Sequence, residues 1–237
     1  NKKILERVYA EYEKGITEIY DVLSLFEDED IINHITEIMA KDYGITDIDK
    51  GIEAFKKLLP YIDKPLMLVG SGDDKIDIQL LPELMSLLDK ECIIGIANEK
   101  NYKQIVPDVI KGNHTLIIRT PIDINLAKEM NILTSDMGLP LDKILIDTDI
   151  GGLGYGFEYG YSIMEKIKLE GKSGDKYLNM PIISFATVET VKTKEAKNKD
   201  LALYLEITSA TAVKAAGADY IVLTNPQSYK TLKELER

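Results

Sequence analysis

Small and polar residues lie at or just after the carboxyl ends of the short apolar runs in this chain. The residues that share this position are Gly70, Ser71, Gly72, Asn98, Thr120, Asp123, Asn125, Asp147, Thr148, Gly152, Gly154, Tyr155, Thr187 and Asn225. Carboxylates, amides and hydroxyls can orient a polar ligand, and glycines let it approach the backbone. Because the runs themselves are apolar, this contrast indicates that one rim of the fold binds something large and polar. We predict cofactor contacts at these positions and no catalytic residue.

Several of these candidates suit a structural role equally well. Asp123 and Asn225 are favourable residues for capping the amino end of a helix. Gly70 and Gly72 suit a tight turn between a strand and a helix. Asp147 lies within an apolar run, where a carboxylate must be hydrogen-bonded or face a cavity. It is therefore expected either to contact a ligand or to anchor a neighbouring loop.

The glycine-rich stretch DIGGLGYG at 149–156 resembles a phosphate-binding loop but lacks its chemistry. Its glycines at 152, 154 and 156 are spaced GxGxG, whereas the dinucleotide fingerprint is GxGxxG followed by an acidic residue about 20 positions later. The flanking carboxylates of Asp147 and Asp149 would repel a pyrophosphate, and no P-loop lysine is present. The glycines are better interpreted as allowing a bulky ligand or partner close to the backbone.

Composition narrows the classes of function. The net charge of -11 disfavours a surface for nucleic acid or anionic membranes. One cysteine, Cys92, allows neither an internal disulfide nor an iron–sulfur cluster held by this chain's own thiolates, which takes about four. Two histidines leave little for a zinc site, so no metal site is predicted. Without a long apolar run or a signal-peptide pattern, we expect a soluble, cytoplasmic protein.

Continuous apolar runs alternate with helical patterns along the chain, which is typical of parallel strands buried on both faces. The predicted strands are 65–70, 92–97, 114–120, 143–149, 181–187 and 220–224, with a further candidate at 16–26. Predicted helices include residues 1–14, residues 47–62 and one that begins at Ile124. A TIM (β/α)8 barrel is favoured over a doubly wound sheet, as one domain over 1–237. Since the chain begins with Asn1, we expect a fragment or processed form whose first strand precedes it.

Longer strings resemble one known family. The collinear strings are PLMLVGSGDDKID (65–77), DINLAKEMN (123–131), LGYGFEYGYSIMEKIKLEGKSGDKYLNMPIIS (153–184) and AGADYIVLTNPQSYKTLKEL (216–235). They are similar to the small, or delta, subunit of the corrinoid iron–sulfur protein, part of the acetyl-CoA decarbonylase/synthase (CO dehydrogenase/acetyl-CoA synthase) system of methanogens and acetogens. The resemblance covers roughly residues 60–237, and residues 1–60 match only loosely.

The resemblance implies a TIM-barrel subunit that pairs with a larger gamma-type subunit. In the family, gamma carries the iron–sulfur cluster and a corrinoid-binding domain, and the corrinoid lies between that domain and the mouth of the delta barrel. A methyl group passes from a tetrahydropterin through cobalt to the nickel site of acetyl-CoA synthase, with methyltransferase and synthase components as further partners. The implied role is a non-catalytic one that covers the cofactor.

Two alternatives remain open from the sequence. A pterin-dependent corrinoid methyltransferase would use strand-end groups such as Asn98 and Asp147 to bind the pyrimidine edge of the pterin. A barrel that only mediates assembly would need neither cofactor.

Overall fold

The structure is a computed structural model that describes residues 48–153 and 156–235, with the backbone alone at 186 and 187. Contacts divide the chain into two compact units, with the boundary between Pro65 and Leu66. This boundary lies close to residue 60, where the family resemblance begins. The predicted helix at 1–14 and the candidate strand at 16–26 lie outside the described residues.

Parallel strands and helices alternate through the described residues. The strands are β1 (Met67–Val69), β2 (Ile93–Ala97), β3 (Thr115–Arg119), β4 (Ile144–Asp147), β5 (Ile183–Ser184) and β6 (Tyr220–Ile221). The α-helices are α1 (Ile48–Leu58), α2 (Asp74–Met85), α3 (Tyr102–Lys111), α4 (Ile124–Asp136), α5 (Phe157–Lys172), α6 (Ala186–Thr190), α7 (Lys199–Ala216) and α8 (Pro226–Leu235). Turns of 3₁₀-helix cover Leu59–Tyr61, Leu141–Lys143 and Lys194–Lys197. None of the helices in these ranges is long and apolar enough to cross a membrane.

The strands neighbour one another in chain order. The first four form one parallel sheet in the order β1-β2-β3-β4, and β5 pairs in parallel with β6. A bridge between Ile146 and Ile182 joins β4 to the segment that enters β5. A doubly wound sheet reverses its strand order at a switch point, whereas consecutive strands of a (β/α) barrel lie side by side. The observed order therefore agrees with the barrel prediction.

The two faces of the strands bury different sets of side chains. One face, which includes Leu116, Ile118 and Ile146, packs against the helices in a large apolar cluster. Because side chains alternate along a strand, the neighbouring positions point the other way. They form a second cluster of Ile117, Leu145, Ile183 and Phe185. This second face corresponds to the inside of a barrel, and we call it the inner face.

Local sequence signals place the helix ends as predicted. The Asp123 carboxylate accepts hydrogen bonds from the backbone N–H groups of Asn125 and Leu126 at 2.8 and 3.1 Å, which begins α4. The Asn225 side chain accepts from the N–H of Gln227 at 2.9 Å, and α8 begins at the following proline. Gly217, with φ at +111°, ends α7 in a left-handed conformation that suits glycine.

Candidate functional site

An ion pair lies on the inner face at the carboxyl ends of β3 and β4. Arg119 and Asp147 are register partners at the last positions of these two strands. They lie two residues beyond Ile117 and Leu145, so their side chains share the inner face. The Nε of Arg119 donates to Oδ2 of Asp147 at 2.7 Å. The other carboxylate oxygen accepts from the backbone N–H of Asp149 at 2.9 Å.

The Asp147 carboxylate is buried, and its surroundings act on it in opposite directions. Its side chain is 1% exposed, and this burial raises the pKa of Asp147 above its ordinary value. The Arg119 charge and the N–H of Asp149 oppose the shift by favouring the ionised form, but burial outweighs them. The guanidinium carbon of Arg119 lies 5.4 Å from the centroid of the Phe185 ring, in cation–π range.

The loops after β3 and β4 are cross-linked and strained. The backbone N–H of Thr120 donates to the carbonyl of Asp147, and that of Ile122 donates to the carbonyl of Thr148, both at 2.9 Å. Ile122 and Asp149 have positive φ angles of +51° and +56°. A positive φ is an outlier for a β-branched residue such as isoleucine, and such strain clusters at functional sites. These loops are therefore held in a defined, unfavourable conformation.

The glycine-rich loop after β4 folds back on itself. Gly151 has φ at +63°, and a Cβ there would lie 2.8 Å from the carbonyl oxygen of Gly156. Gly152 and Gly156 also form a β-bridge. Next to this loop is a polar groove of about 310 Å³, lined by Gly152, Leu153, Glu189, Lys192, Thr193, Lys194 and Glu195. Because these residues follow β4 and β5, the groove lies on the carboxyl-end rim.

Two further rim loops are held by buried carboxylates on helices. Asp77 of α2 accepts hydrogen bonds from the N–H and hydroxyl of Ser71 and from the N–H of Gly72, at 2.7 to 3.0 Å. A Cβ at Gly70 would lie 2.5 Å from the Asp77 carboxyl carbon, so a side chain there would displace this carboxylate. These bonds fix the turn after β1.

A second carboxylate, Glu206 of α7, holds the loop after β6 in the same way. It accepts from the N–H of Thr224 at 2.7 Å and from the hydroxyls of Thr224 and Ser228. The Glu206 side chain is almost fully buried. Buried carboxylates that are saturated with hydrogen bonds rigidify the loops that they hold.

Asn98 belongs to an amide–carboxylate network between neighbouring loops. Its side-chain nitrogen donates to Asp74 at 2.7 Å, and Asn101 donates to the same Asp74 oxygen at 3.0 Å. The Asn98 side-chain oxygen accepts from the N–H of Lys100. Both ends of the Asn98 amide are thus engaged within the protein.

The described candidates from the sequence all lie at or after carboxyl ends of strands, but they do not converge on one point. Thr120 and Thr148 are buried, and the Thr120 hydroxyl has no hydrogen-bond partner within the described part of the chain. Asp123 and Asn225 cap helices, and Asn125 is exposed in the first turn of α4. Two further candidates, Gly154 and Tyr155, lie outside the described residues, and Thr187 is described by its backbone alone.

Sequence reasoning missed three residues that organise the rim, namely Arg119, Asp77 and Glu206. Arg119 left a signal, because an arginine and an aspartate each occupy the end of an apolar run on consecutive strands. Asp77 and Glu206 left none, since an acidic residue within a helix pattern normally faces water. No group of three or more His, Cys, Asp or Glu side chains within 48–153 and 156–235 could hold a metal ion.

The strand order, the two-faced sheet and the polar carboxyl-end rim define a TIM-barrel-like α/β protein. In agreement, the fold is similar to that of a dihydropteroate synthase from Yersinia pestis, solved with a sulfonamide drug complex. The TM-score is 0.50 and the identity 9%, over 83% of this chain and 88% of the other. At this identity the likeness shows the fold alone.

The family is shown by sequence. Residues 19–236 match the model of the CO dehydrogenase/acetyl-CoA synthase delta subunit, and the chain belongs to this family. A relative from Methanocaldococcus jannaschii, named acetyl-CoA decarbonylase/synthase complex subunit delta, is 31% identical over 216 residues, 86% of this chain and 52% of its own length. Relatives of the same name from Methanopyrus kandleri and Archaeoglobus fulgidus are 25% and 26% identical, over 79% and 80% of this chain and 49% and 46% of theirs. The chain thus spans about half the length of the curated relatives it matches.

Proposed function

We propose that this chain is a non-catalytic subunit that pairs with a gamma-type partner and covers a corrinoid held jointly with it. The observation that carries the proposal is the polar groove beside the glycine-rich loop, on the rim where TIM-barrel proteins bind ligands. Family membership supports the same role, because the relatives are named as subunits of the acetyl-CoA decarbonylase/synthase complex.

The groove suits part of a large ligand rather than a whole one. Its volume of about 310 Å³ lies at the lower end of the range of ligand pockets, about 300–1,000 Å³. A macrocycle bordered by amides would present one edge to this groove and leave the rest to the partner. The lining combines backbone at Gly152 with ammonium, carboxylate and hydroxyl groups, which can pair with amide donors and acceptors.

In this role the chain binds and shields, and the cofactor supplies the reactivity. The corrinoid provides the cobalt centre for methyl transfer from a tetrahydropterin towards the nickel site of acetyl-CoA synthase. The rim residues orient its edge and exclude water from it, which needs rigid loops. Asp77, Glu206 and the cross-linked loops after β3 and β4 provide that rigidity. We infer that the iron–sulfur cluster belongs to the partner, since Cys92 is the only cysteine of this chain.

The hydrogen bonds favour this role over pterin binding. A pterin edge would need free groups at Asn98 and Asp147, but both side chains are engaged with protein partners. Binding a pterin there would break existing hydrogen bonds, which costs free energy. Covering a corrinoid from the rim does not depend on those two side chains.

Co-purification with a gamma-type subunit tests the proposal. We expect a stable complex whose visible absorbance shows bound corrinoid. Leu153→Trp places a bulky ring in the groove and should weaken corrinoid retention about tenfold or more. Leu169→Trp is the matched control, because Leu169 is 63% exposed on α5 and does not line the groove.

The outcomes separate the alternatives. Failure of the two chains to associate at micromolar concentration would exclude the pairing. Association with unchanged corrinoid retention in Leu153→Trp would favour a role in assembly alone. Calorimetric binding of a tetrahydropterin to the isolated chain, abolished by Asn98→Ala, would favour the methyltransferase alternative.

A further inference from the structure

The ion pair on the inner face combines a buried carboxylate with an arginine that is partly exposed. Moving a carboxylate such as Asp147 into the interior costs several kcal/mol, and apolar replacements of buried ion pairs are often neutral or stabilising. The chain nevertheless places Arg119 and Asp147 where apolar residues fill the rest of the face. The pair therefore leaves a charged, partly accessible arginine at the end of an otherwise apolar face.

The pair holds the guanidinium in a fixed orientation with one side open. Asp147 fixes the Nε edge at 2.7 Å, and Phe185 covers one face of the guanidinium at 5.4 Å. Arg119 remains 30% exposed, and its two terminal amino groups have no hydrogen-bond partner among the described residues. Four N–H donors of a preorganised, planar group are thus left without a hydrogen-bond partner in this part of the protein.

The use of arginine at position 119 also favours a hydrogen-bonding role. Of the 29 basic residues in the sequence, only Arg7, Arg119 and Arg237 are arginines. Arg119 is the one within the described ranges. Arginine differs from lysine in its planar fork, which donates several hydrogen bonds in fixed directions. A lysine could neutralise Asp147, but it could not present further donors in a defined plane.

The surrounding charge selects the class of ligand. Asp147 neutralises Arg119, and the negative charge of Asp149 acts on the same carboxylate. The whole chain carries a net charge of -11. This setting disfavours an anionic ligand and leaves neutral oxygen acceptors as the better match for the open donors. Carboxamide carbonyls are strong neutral acceptors of this kind.

We propose that the terminal amino groups of Arg119 donate hydrogen bonds to a carboxamide carbonyl on the border of the corrinoid. This inference rests on the proposed covering function, and it names a residue and a ligand group within that function. Arg119 binds the ligand, whereas Asp147 and Phe185 are positioning residues that hold the guanidinium in place.

Chemical modification of arginine tests the contact directly. Phenylglyoxal reacts with exposed guanidinium groups, and with three arginines each site can be followed by peptide mass spectrometry. We expect Arg119 to react in the corrinoid-free complex with a gamma-type partner and to be protected at least about tenfold when cyanocobalamin is loaded, while the reactivity of Arg237 stays unchanged. If Arg119 is equally unreactive in the corrinoid-free and in the corrinoid-loaded complex, it is covered by protein. That result would overturn the inference.

Variants provide the second measurement. Arg119→Lys keeps the charge that Asp147 needs but loses the planar fork. The pair Arg119→Met with Asp147→Asn removes both charges, so no buried charge is left unpaired if the single variants fail to fold. Each should weaken corrinoid retention about tenfold, as expected for a lost charge-assisted hydrogen bond. Lys143→Gln is the matched control, because it breaks the Lys143–Glu91 pair beyond the opposite end of β4.

Two outcomes distinguish an error in this inference from an error in the proposed covering function. Normal corrinoid retention by the Arg119 variants would overturn the carboxamide contact and leave the covering function standing. If no complex forms with a gamma-type partner, the covering function fails, and the contact that rests on it fails with it. Protection by inorganic phosphate instead would show an anion site, contrary to the charge argument.

Discussion

At the scale of single residues, burial decides which ionisable groups are sensitive to pH. His114 lies at the opposite end of the strands from the rim and is 2% exposed. Its Nδ1 accepts a hydrogen bond from the backbone N–H of Cys92 at 3.1 Å, which requires an unprotonated nitrogen. A Cβ at Gly112 would collide with the ring. Burial lowers the pKa of His114, and the nearby Glu91 only partly opposes it.

This burial predicts a pH dependence of stability with a definite sign. The folded chain holds His114 neutral, whereas the unfolded chain protonates it near pH 6.5. The unfolded state thus binds more protons below about pH 6.5, so the contribution is complete above that pH and is lost as pH falls. Urea unfolding from pH 8 to 5 should show a steeper loss in wild type than in His114→Asn, whose amide can still accept from Cys92.

The comparison with His114→Asn must allow for the loss of packing that this substitution causes. His114→Asn leaves packing volume unfilled and should cost about 1–2 kcal/mol at pH 8. The test concerns the difference between the two unfolding free energies, which should shrink as the pH falls. His34 is present in both proteins and cancels in this comparison. Parallel pH curves would contradict the assignment of His114 as a buried neutral base.

At the scale of elements, α5 lies directly against the rim through a glycine. A Cβ at Gly160 would be 2.7 Å from the Cα of Ile150 and 3.0 Å from the carbonyl oxygen of Asp149. Both neighbours are backbone atoms of the loop after β4, and Asp149 already has a positive φ. The missing side chain thus lets the helix pack closely on the strained loop.

Gly160→Ala should therefore destabilise the protein although alanine is the better helix former. The propensity gain is about 1 kcal/mol. Forcing a methyl group against backbone should cost about 1–3 kcal/mol beyond this gain. The control is Ser162→Ala on the exposed side of the same helix, where the change should be neutral or slightly stabilising. Equal unfolding free energies for the two variants, measured in urea, would show that the loop yields without cost.

The ends of helices could be predicted where the residues that determine them lie close together in the sequence. Asp123 and Asn225 begin helices through contacts two or three residues away, and Gly217 ends one through its own φ. The strand runs of the described residues were also located, although the hydrogen-bonded strands are shorter than the apolar runs. The predicted strand 181–187 was wrong at its end, because α6 begins at Ala186. By contrast, Glu206 reaches Thr224 across 18 residues, a distance at which no local pattern carries information.

The candidate site was predictable as a rim but not as a set of contacts. The polar residues that follow the strands mark the carboxyl ends, because apolar runs stop where burial stops. Which of them touch each other depends on strand register, which pairs Arg119 with Asp147 across 28 residues. The spacing of the glycine-rich loop and its flanking carboxylates argue against a phosphate loop, and this stays a prediction. The groove beside this loop is also lined by residues of the segment after β5. No pattern in the sequence indicates that this segment lies next to the loop.

At the scale of the whole molecule, excess negative charge opposes compaction. The chain has 40 acidic and 29 basic residues, and most of its described ion pairs lie at the surface. Exposed pairs contribute about 0–1 kcal/mol each, so their screening by salt costs little. Repulsion among the unpaired carboxylates acts over longer distances and is therefore screened more effectively. The balance predicts that moderate salt stabilises this protein.

Thermal unfolding in a salt series tests this balance. The screening length falls from about 30 Å at 0.01 M salt to about 8 Å at 0.15 M. At pH 7.5 we expect Tm to rise by about 2–4 °C over this range, which corresponds to about 1 kcal/mol for a chain of this size. Near pH 4.8, where the sequence has no net charge, the rise should vanish because the repulsion is gone. An uncharged solute at equal osmolarity controls for solvent effects, and a fall of Tm with salt at pH 7.5 would mean that local ion pairs outweigh the net repulsion.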